Sequence, residues 1–325
     1  MTNNTVLEVR GLTKHFRAVG EGSLLRPVYA EVVRNVSFQL RRGETFGLVG
    51  ESGCGKSTVA KLILGLEKPT AGEIFFKGQR IDCLSETRRR PLRPRLQMVF
   101  QDSGSSLNPR KRVAELLAEP MLYHRIVSRG EVMARVDRLL DMVGLTRDMR
   151  DRYPHEFSGG QRQRICIARA LSLNPDAVVL DEPVSALDVS VQAQILNLLR
   201  DLQQELGLTY LFIGHGLGAV RYMSHRMAVM YMGEIVETGD AEELFDHPAH
   251  PYTRALLDAA PVADYALRSR VRASLKGEVS AAVRTGCPLR ERCPYALAEC
   301  AAIQPGLSPL PDSPEHLSAC RRAAE

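Results

Sequence analysis

The sequence predicts an α/β fold with a mixed sheet at its core, a smaller antiparallel sheet, a helical subdomain and a small cysteine-rich C-terminal extension. Three observations support this prediction. Short apolar runs, each followed by polar residues, are typical of buried parallel strands and occur at 46–49, 177–180 and 210–213. Residues 6–12 and 32–40 alternate apolar and polar side chains, which predicts antiparallel strands. Residues 113–173 follow a helical pattern.

Composition narrows the classes of function. The chain has 325 residues, of which 44% are hydrophobic, a content typical of a soluble globular protein. Its 43 basic and 38 acidic residues leave a formal charge of +5, too modest to indicate nucleic-acid binding. No apolar run approaches the ~20 residues of a membrane span, and the first five residues lack the features of a signal peptide. We therefore expect a cytosolic chain that reaches a membrane only through partner proteins.

The central motif lies at residues 50–58, between the apolar run 46–49 and a helical pattern at 59–66. Its glycines let successive backbone N–H groups point inward, and the following helix adds its positive N-terminal end, so the motif predicts a phosphate-binding loop. Lys56 is expected to reach the β- and γ-phosphates, Ser57 to ligate Mg²⁺, and Thr58 to donate to the α-phosphate. The other predicted nucleotide contacts in this loop are Gly50, Ser52, Gly53, Cys54 and Gly55.

Cys54 has a second predicted property. It lies near a helix N-terminus and Lys56, two features that lower a thiol pKa, so we expect a reactive thiolate that ATP protects from alkylation. The alternative is an inert small residue in the loop.

Before and after this loop, further elements can be placed. Phe16 follows the first strand and is a candidate to stack on a base, the alternative being an ordinary core or rim aromatic. Residues 73–76 and 96–100 predict strands, the second ending at Gln101. The basic run at 88–95 favours a solvated face over a lipid-binding one. Within the helical stretch, residues 129–143 are amphipathic.

A second glycine motif opens a helix at Ser158-Gly159-Gly160-Gln161. Ser158 is a good N-cap, and the two glycines leave the helix N-terminus open to an anion, although a capped helix without a ligand remains an alternative.

Acidic residues end the strand at 177–180. Asp181 and Glu182 point to opposite faces of that strand, so they can take different roles. We expect Asp181 to hold Mg²⁺ through water and Glu182 to polarise the water that attacks the γ-phosphate. A turn at 185–188, ending in Asp188, leads into a helix. His215 ends the next strand and is expected to contact the γ-phosphate.

Together these motifs resemble the ATP-binding subunits of ATP-binding cassette (ABC) transporters over about residues 6–260. The motifs that carry the resemblance are the phosphate loop at 50–57, Gln101, Ser158-Gly159-Gly160-Gln161, Asp181-Glu182, the turn at 185–188 and His215. Segments at 106–110, 151–154 and 247–257 resemble the peptide-importer branch, which comprises the dipeptide, oligopeptide and nickel systems. Within this branch the chain is most similar to the second of the two paired ATPases of a dipeptide importer.

The resemblance implies an ATPase that uses ATP and Mg²⁺, works as half of a head-to-tail dimer and has no nucleic-acid partner. In such a dimer Ser158 and Gly160 bind the γ-phosphate held by the partner chain, while Gly159, Gln161 and Asp188 line the shared site. Gln101 is implied as both a catalytic residue and a Mg²⁺ ligand. The implied partners are a second ATPase, giving a heterodimer, two transmembrane permease subunits and an extracytoplasmic peptide-binding protein. The implied location is the cytoplasmic face of the membrane, and the implied domains are 1–260, with a helical subdomain at 102–170, and 261–325.

Two positions depart from the family pattern. The family usually has serine before and aspartate after the switch histidine, whereas His215 lies between Gly214 and Gly216, which adds backbone freedom and removes two hydrogen-bonding groups. Residues 276–280 also lack the prolines with which relatives tend to continue. Two other classes of function stay open: a cassette protein acting on ribosomes or DNA, and a regulatory subunit that binds ATP without hydrolysing it.

Four of the seven cysteines lie near the C-terminal end of the sequence, at Cys287, Cys293, Cys300 and Cys320. In a cytosolic protein such a cluster favours a metal over disulfides, and four thiolates suit either a cubane iron–sulfur cluster or tetrahedral Zn²⁺. Because similar tails recur in the peptide-importer ATPases, the resemblance implies a [4Fe–4S] cluster. Zn²⁺ and unligated thiols are the alternatives.

Overall fold

The computed structural model of the chain describes residues 4–23, 26–259, 275 and 285–320, and all structural statements below concern these residues. The strands are β1 (Thr5–Ser23), β2 (Arg26–Arg41), β3 (Thr45–Val49), β4 (Ala71–Phe76), β5 (Gln79–Arg80), β6 (Leu96–Val99), β7 (Ala177–Asp181), β8 (Thr209–Gly214), β9 (Arg226–Tyr231), β10 (Glu234–Asp240), β11 (Ser308–Leu310) and β12 (Ser313–Ser318). The α-helices are α1 (Lys56–Ile63), α2 (Glu86–Arg89), α3 (Ser103–Ser106), α4 (Val113–Tyr123), α5 (Val132–Met142), α6 (Gly159–Leu171), α7 (Val189–Leu206), α8 (Leu217–Met223), α9 (Ala241–Asp246) and α10 (Pro251–Asp258). Short 3₁₀ helices lie at Arg93–Arg95, Arg147–Asp151, Pro154–Glu156 and Ala298–Ala301.

The main sheet has eight strands in the order β11-β12-β10-β9-β3-β8-β7-β6. Strands β6, β7, β8, β3 and β9 run parallel, whereas β10, β12 and β11 pair in an antiparallel manner. The predicted mixed sheet is therefore confirmed. Because the carboxyl ends of parallel strands meet at one edge, the segments that follow β3, β6, β7 and β8 are brought together there.

Alternation along the central strands divides the core between the two faces of this sheet. In β7, Val178 and Leu180 pack into one hydrophobic cluster, together with α4, α5, α6 and α7. Their neighbours Ala177 and Val179 pack into a second cluster, with α1 and the small sheet. Burial on both faces explains why this strand reads as a continuous apolar run.

The small sheet has the order β2-β1-β4-β5 and is antiparallel throughout, as predicted. Its first two strands extend well beyond the predicted ranges 6–12 and 32–40. Register shifts interrupt the pairing of β1 with β2 at several points, and these irregularities hide the continuation of the strands from a pattern with period two.

The predicted helical stretch at 113–173 contains α4, α5 and α6, separated by loops and 3₁₀ turns. The predicted amphipathic segment corresponds to α5, which buries Val132, Val136, Leu139 and Leu140 against the core. No helix of the described residues is long and apolar enough to cross a membrane.

The C-terminal residues continue the main sheet. Strand β12 pairs with β10 through Glu237 opposite Ser318 and Thr238 opposite Leu317. Next to this pairing, the fully buried His316 places its Nε2 atom 2.7 Å from Oε1 of the equally buried Glu237. The departure noted at residues 276–280 lies outside the described residues, and the domain boundary at 260 and 261 stays a prediction.

Candidate active site

The phosphate loop connects β3 to α1. Gly55 forms the N-cap of α1 with a φ of 108°, a left-handed conformation that side chains rarely adopt. A Cβ atom at this position would lie 2.6 Å from the carbonyl oxygen of Val32, so the backbone geometry and the close approach both require glycine. The first N–H groups of α1 have no acceptor within the helix and can bind an anion.

Lys56 is almost completely buried below this loop. Its Nζ donates to the carbonyl oxygen of Gly50 at 2.8 Å and to that of Glu51 at 2.9 Å. An ammonium group held in this way is already aimed at the interior of the loop, where phosphate oxygens can replace the carbonyl acceptors.

The predicted reactivity of Cys54 is wrong. Its thiol is buried, and burial raises the pKa more than the charge and hydrogen bonds of Lys56 lower it. The thiolate form is therefore disfavoured, although the sequence position next to Lys56 suggested the opposite.

The candidate Mg²⁺ ligands Ser57 and Asp181 meet between α1 and β7. The Ser57 hydroxyl donates to Asp181 Oδ1 at 3.1 Å. Burial raises the pKa of Asp181, the Ser57 hydrogen bond lowers it and the charge of Glu182 raises it, with a net upward result. A hydroxyl and a buried carboxylate side by side are oxygen ligands that suit a hard divalent cation.

Glu182, Gln101 and His215 converge at the carboxyl ends of β7, β6 and β8. Glu182 Oε2 accepts from Gln101 Nε2 at 2.9 Å and lies 3.0 Å from His215 Nδ1. Glu182 also has a φ of 48°, a strained backbone conformation of the kind that persists at functional sites. The amide of Gln101 is thus directed to Glu182 rather than to Ser57 and Asp181.

A cavity of about 450 Å³ joins the phosphate loop to this trio. Its lining residues are Val32, Ser52, Gly53, Gly55, Lys56, Ser57, Thr58, Gln101, Glu182 and His215. The volume lies in the range of ligand sites, and the lining combines phosphate donors, a cation ligand and a carboxylate that can accept a proton from water. Sequence reasoning missed Val32, which belongs to β2 and carries no motif.

The second glycine motif lies apart from this cavity. Ser158 Oγ accepts from the N–H of Gln161 at 3.3 Å, while Gln161 Oε1 accepts from the N–H of Ser158 at 3.0 Å, so the two residues form a capping box at α6. A Cβ atom on Gly160 would lie 2.4 Å from Val191 Cγ1, which explains the glycine by close packing against α7. Asp188 caps α7 by accepting from the N–H of Val191 at 3.0 Å.

Phe16 is not among the residues that line the cavity. The ammonium group of Lys14 lies 4.7 Å from the centre of its ring, on β1 of the small sheet. Its role toward a base stays a prediction.

The four C-terminal cysteines line one small cavity of about 30 Å³, together with His250 and Pro251. Burial raises the pKa of Cys287, and the proximity of the other three cysteines raises it further. Even so, no group of three or more His, Cys, Asp or Glu side chains among the described residues is arranged to hold a metal ion. The predicted iron–sulfur cluster therefore has no support in the structure.

One set of contacts to the phosphate loop was not expected from the sequence. Arg292, between the first two of these cysteines, forms an ion pair with Glu51 at 3.1 Å. The N–H of Glu51 donates to the hydroxyl of Tyr252 at 2.9 Å. No local pattern signals either contact, because the partners are about 200 residues or more apart in sequence.

Comparison with known proteins places these features in a family. Residues 33–185 match the ABC transporter family model, and residues 236–300 match the model for the oligopeptide/dipeptide transporter C-terminal region. The oligopeptide transport ATP-binding protein AppF of Bacillus subtilis is 48% identical over 97% of this chain and 97% of its own length. The putative oligopeptide transport ATP-binding protein YkfD of the same organism is 48% identical over 97% of this chain and 94% of its own length.

Solved structures agree with this assignment. A dimeric post-hydrolysis state of the ATP-binding cassette MJ0796, bound to ADP and Pi, has a TM-score of 0.64 and 28% identity over 72% of this chain and 98% of its own. The cbiO1 protein of Clostridium perfringens, part of the ABC transporter complex cbiONQ, has a TM-score of 0.65 and 28% identity over 75% of this chain and 92% of its own. With the relatives matched along nearly their whole lengths, the chain belongs to the ABC transporter family of ATPases, in the branch of oligopeptide and dipeptide transport ATP-binding proteins.

Proposed function

We propose that this ATPase energises the import of dipeptides or oligopeptides. The relatives are named as ATP-binding proteins of oligopeptide or peptide transport, and the C-terminal match belongs to the same branch. The observation that carries the chemical part is the position of Glu182, whose carboxylate is held by Gln101 and His215 at the edge of the phosphate-loop cavity.

In this proposal Glu182 accepts a proton from the attacking water. Gln101 and His215 orient the carboxylate, and His215 also contacts the γ-phosphate. Lys56 and Thr58 bind the phosphates from the loop. Ser57 and Asp181 hold Mg²⁺, which neutralises charge on the phosphate oxygens when it is bound.

A second chain completes the site. The N-terminus of α6 is exposed at Ser158 and lies apart from the cavity of its own chain, so its anion-binding end is open to a partner. We infer a head-to-tail dimer, in which Ser158 and Gly160 reach the γ-phosphate bound by the partner. The dimeric state of MJ0796 supports the general arrangement, and a heterodimer is the form we propose here.

Two membrane permease subunits are proposed to receive the conformational change that accompanies ATP hydrolysis. A groove of about 300 Å³ lies between α4 and β6, with Phe100, Arg93 and His124 in its lining. Phe100 is 39% exposed and directly precedes Gln101, so a segment seated in this groove lies next to the hydrolysis site. We infer that a short apolar segment of a permease subunit binds there, at the cytoplasmic face of the membrane. An extracytoplasmic peptide-binding protein then delivers the cargo.

A metal centre at Cys287, Cys293, Cys300 and Cys320 is a separate hypothesis. Their shared cavity supports it, whereas their present spacing does not form a metal site. A [4Fe–4S] cluster would make anaerobically purified protein brown and iron-containing, Zn²⁺ would leave it colourless and zinc-containing, and metal-free protein would reject both.

The importer proposal is tested with the chain assembled with its permease partners in proteoliposomes. Peptide-loaded binding protein should stimulate ATP hydrolysis, and Glu182→Gln should lower the rate by about 10²–10⁴-fold while ATP still binds. Glu131→Gln, an exposed carboxylate at the start of α5, is the matched control. Hydrolysis without any response to peptide would reject the cargo, and near-normal hydrolysis by Glu182→Gln would reject the assigned base.

A further inference from the structure

The phosphate-loop residue Glu51 is held by two residues from the C-terminal part of the chain. Its carboxylate receives both terminal nitrogens of Arg292, with Nη1 3.1 Å from Oε2 and Nη2 3.2 Å from Oε1. Its backbone N–H donates to the Tyr252 hydroxyl at 2.9 Å. A paired fork contact of this kind fixes direction as well as distance.

The side chain of Arg292 is mostly buried and packs against an aromatic ring. Its side chain is 13% exposed, and its guanidinium lies 5.8 Å from the centre of the Tyr231 ring. The rings of Tyr231 and Tyr252 are 4.5 Å apart, so the two tyrosines form one wall behind Glu51. Burial lowers the pKa of Arg292, but the contacts with Glu51 and Tyr231 raise it by more, so the net shift is upward and favours a permanent charge.

Glu51 also links this wall to the phosphate-binding lysine. Its carbonyl oxygen accepts from Lys56 Nζ at 2.9 Å, so one residue carries a contact on its N–H, its carbonyl and its carboxylate. A shift of Glu51 therefore moves a hydrogen-bond acceptor of Lys56 and changes the backbone conformation of the loop. An unpaired Glu51 would also place a negative charge in a loop that binds phosphates, and Arg292 offsets that charge.

We propose that Arg292 is a positioning residue for ATP binding, which acts through Glu51 and does not touch the nucleotide. It shapes the loop and cancels the repulsion between the Glu51 carboxylate and the triphosphate. This inference rests on the proposed role of the phosphate loop, and it gives the C-terminal part of the chain an indirect role in nucleotide affinity.

The same contacts connect the phosphate loop to the cavity of the four cysteines. Arg292 directly precedes Cys293, and Tyr252 directly follows Pro251, and both Cys293 and Pro251 line that cavity. Leu289, which is 1% exposed, anchors this part of the extension in the core. The two residues that contact Glu51, Arg292 and Tyr252, are thus each next in sequence to a residue that lines this cavity.

The test measures the affinity of the purified full chain for methylanthraniloyl-ATP by fluorescence. The KM and kcat of ATP hydrolysis are measured with the chain assembled with its ATPase and permease partners. Arg292→Ala should weaken binding by about five- to tenfold and raise KM in parallel, while kcat at saturating ATP changes less than about twofold. Arg292→Lys keeps the charge but not the fork, so it should recover part of the affinity. Arg290→Ala is the matched control, because among the described residues the Arg290 guanidinium donates to the carbonyl oxygens of Thr285 and Ala301 and not to the phosphate loop.

A double-mutant cycle separates positioning from simple structural support. In a Glu51→Gln background, Arg292→Ala should have little further effect on affinity, because its route to the loop is already removed. Equal affinity of Arg292→Ala and the wild type would overturn the inference, as would an equal loss in both backgrounds or a loss confined to kcat. Failure of the wild-type chain to bind the analogue would instead reject the proposed nucleotide site. If Arg292→Ala does not fold, Arg292→Lys and the cycle built on it decide the question.

Discussion

The buried contact between His316 and Glu237 provides a measurable prediction for how the C-terminal strand is held. The change is His316→Leu, which removes the imidazole and places an apolar side chain of moderate size in the same position. Both side chains of the native pair are 0% exposed, so solvent cannot replace the lost partner. His316 Nδ1 also lies 3.3 Å from Oε1 of Glu243, which is partly exposed.

The loss in the free energy of unfolding depends on the hydrogen bonds that Glu237 keeps after the substitution. After the change, its two carboxylate oxygens still accept from the N–H groups of Ala249 at 2.7 Å and His250 at 3.1 Å. Removal of one partner of a buried ion pair costs about 3–5 kcal/mol when nothing compensates it. With two backbone donors left in place, we expect a loss of about 2–3 kcal/mol in the free energy of unfolding.

The loss should depend on pH with a defined sign. Burial lowers the pKa of His316, but the hydrogen bonds and charges of Glu237 and Glu243 raise it more, so the folded pKa lies above the unfolded value near 6.5. A raised histidine pKa stabilises the fold fully below the unfolded pKa, and this stabilisation is lost as pH rises through the folded pKa. The difference between wild type and His316→Leu should therefore be larger at pH 6 than at pH 9.

Urea unfolding followed by circular dichroism at both pH values measures this difference. The exposed neighbour Glu315 on β12 supplies the control variant Glu315→Gln, which should change stability by less than about 0.5 kcal/mol. A His316→Leu penalty below that of the control, or one of equal size at pH 6 and pH 9, would refute the reasoning.

Three further predictions concern the active site. Gly216→Asp, at a position with open space around the added side chain, should raise the hydrolysis rate about two- to tenfold by restricting His215, and an unchanged rate would mean that the glycine has no influence. A thiol reagent should modify the exposed Cys83 before the buried Cys54, with peptide mapping as the readout, and equal labelling rates would contradict the burial argument. Ser57→Ala should raise the Mg²⁺ concentration for half-maximal hydrolysis about tenfold because one oxygen ligand is lost, and an unchanged Mg²⁺ dependence would reject the assigned ligand.

The parts of the site that could be predicted from the sequence are those at strand ends. An apolar run followed by a chemically distinctive residue locates Lys56, Glu182 and His215 on one edge of the sheet, because parallel strands direct their carboxyl ends the same way. These residues do lie together around one cavity. Local periodicity is sufficient for such inferences, since each depends on only a few neighbouring residues.

Other features depend on distant contacts and could not be predicted in this way. The low pKa expected for Cys54 considered the charge of Lys56 but not the burial that outweighs it. The pairing of Arg292 with Glu51 joins positions 241 residues apart, and no periodic pattern records such a contact. Strands β9 and β10 were likewise not assigned from the sequence, although both contain buried apolar residues.

The position of β12 beside β10 has a consequence for recombinant work on this chain. Without β12, the backbone N–H and C=O groups of β10 near Glu237 and Thr238 would form an open sheet edge next to the apolar Ile235 and Val236. Open edges of this kind recruit strands from other molecules and promote aggregation. A chain truncated before β11 is therefore expected to precipitate during expression, even where its ATP-binding motifs are all present.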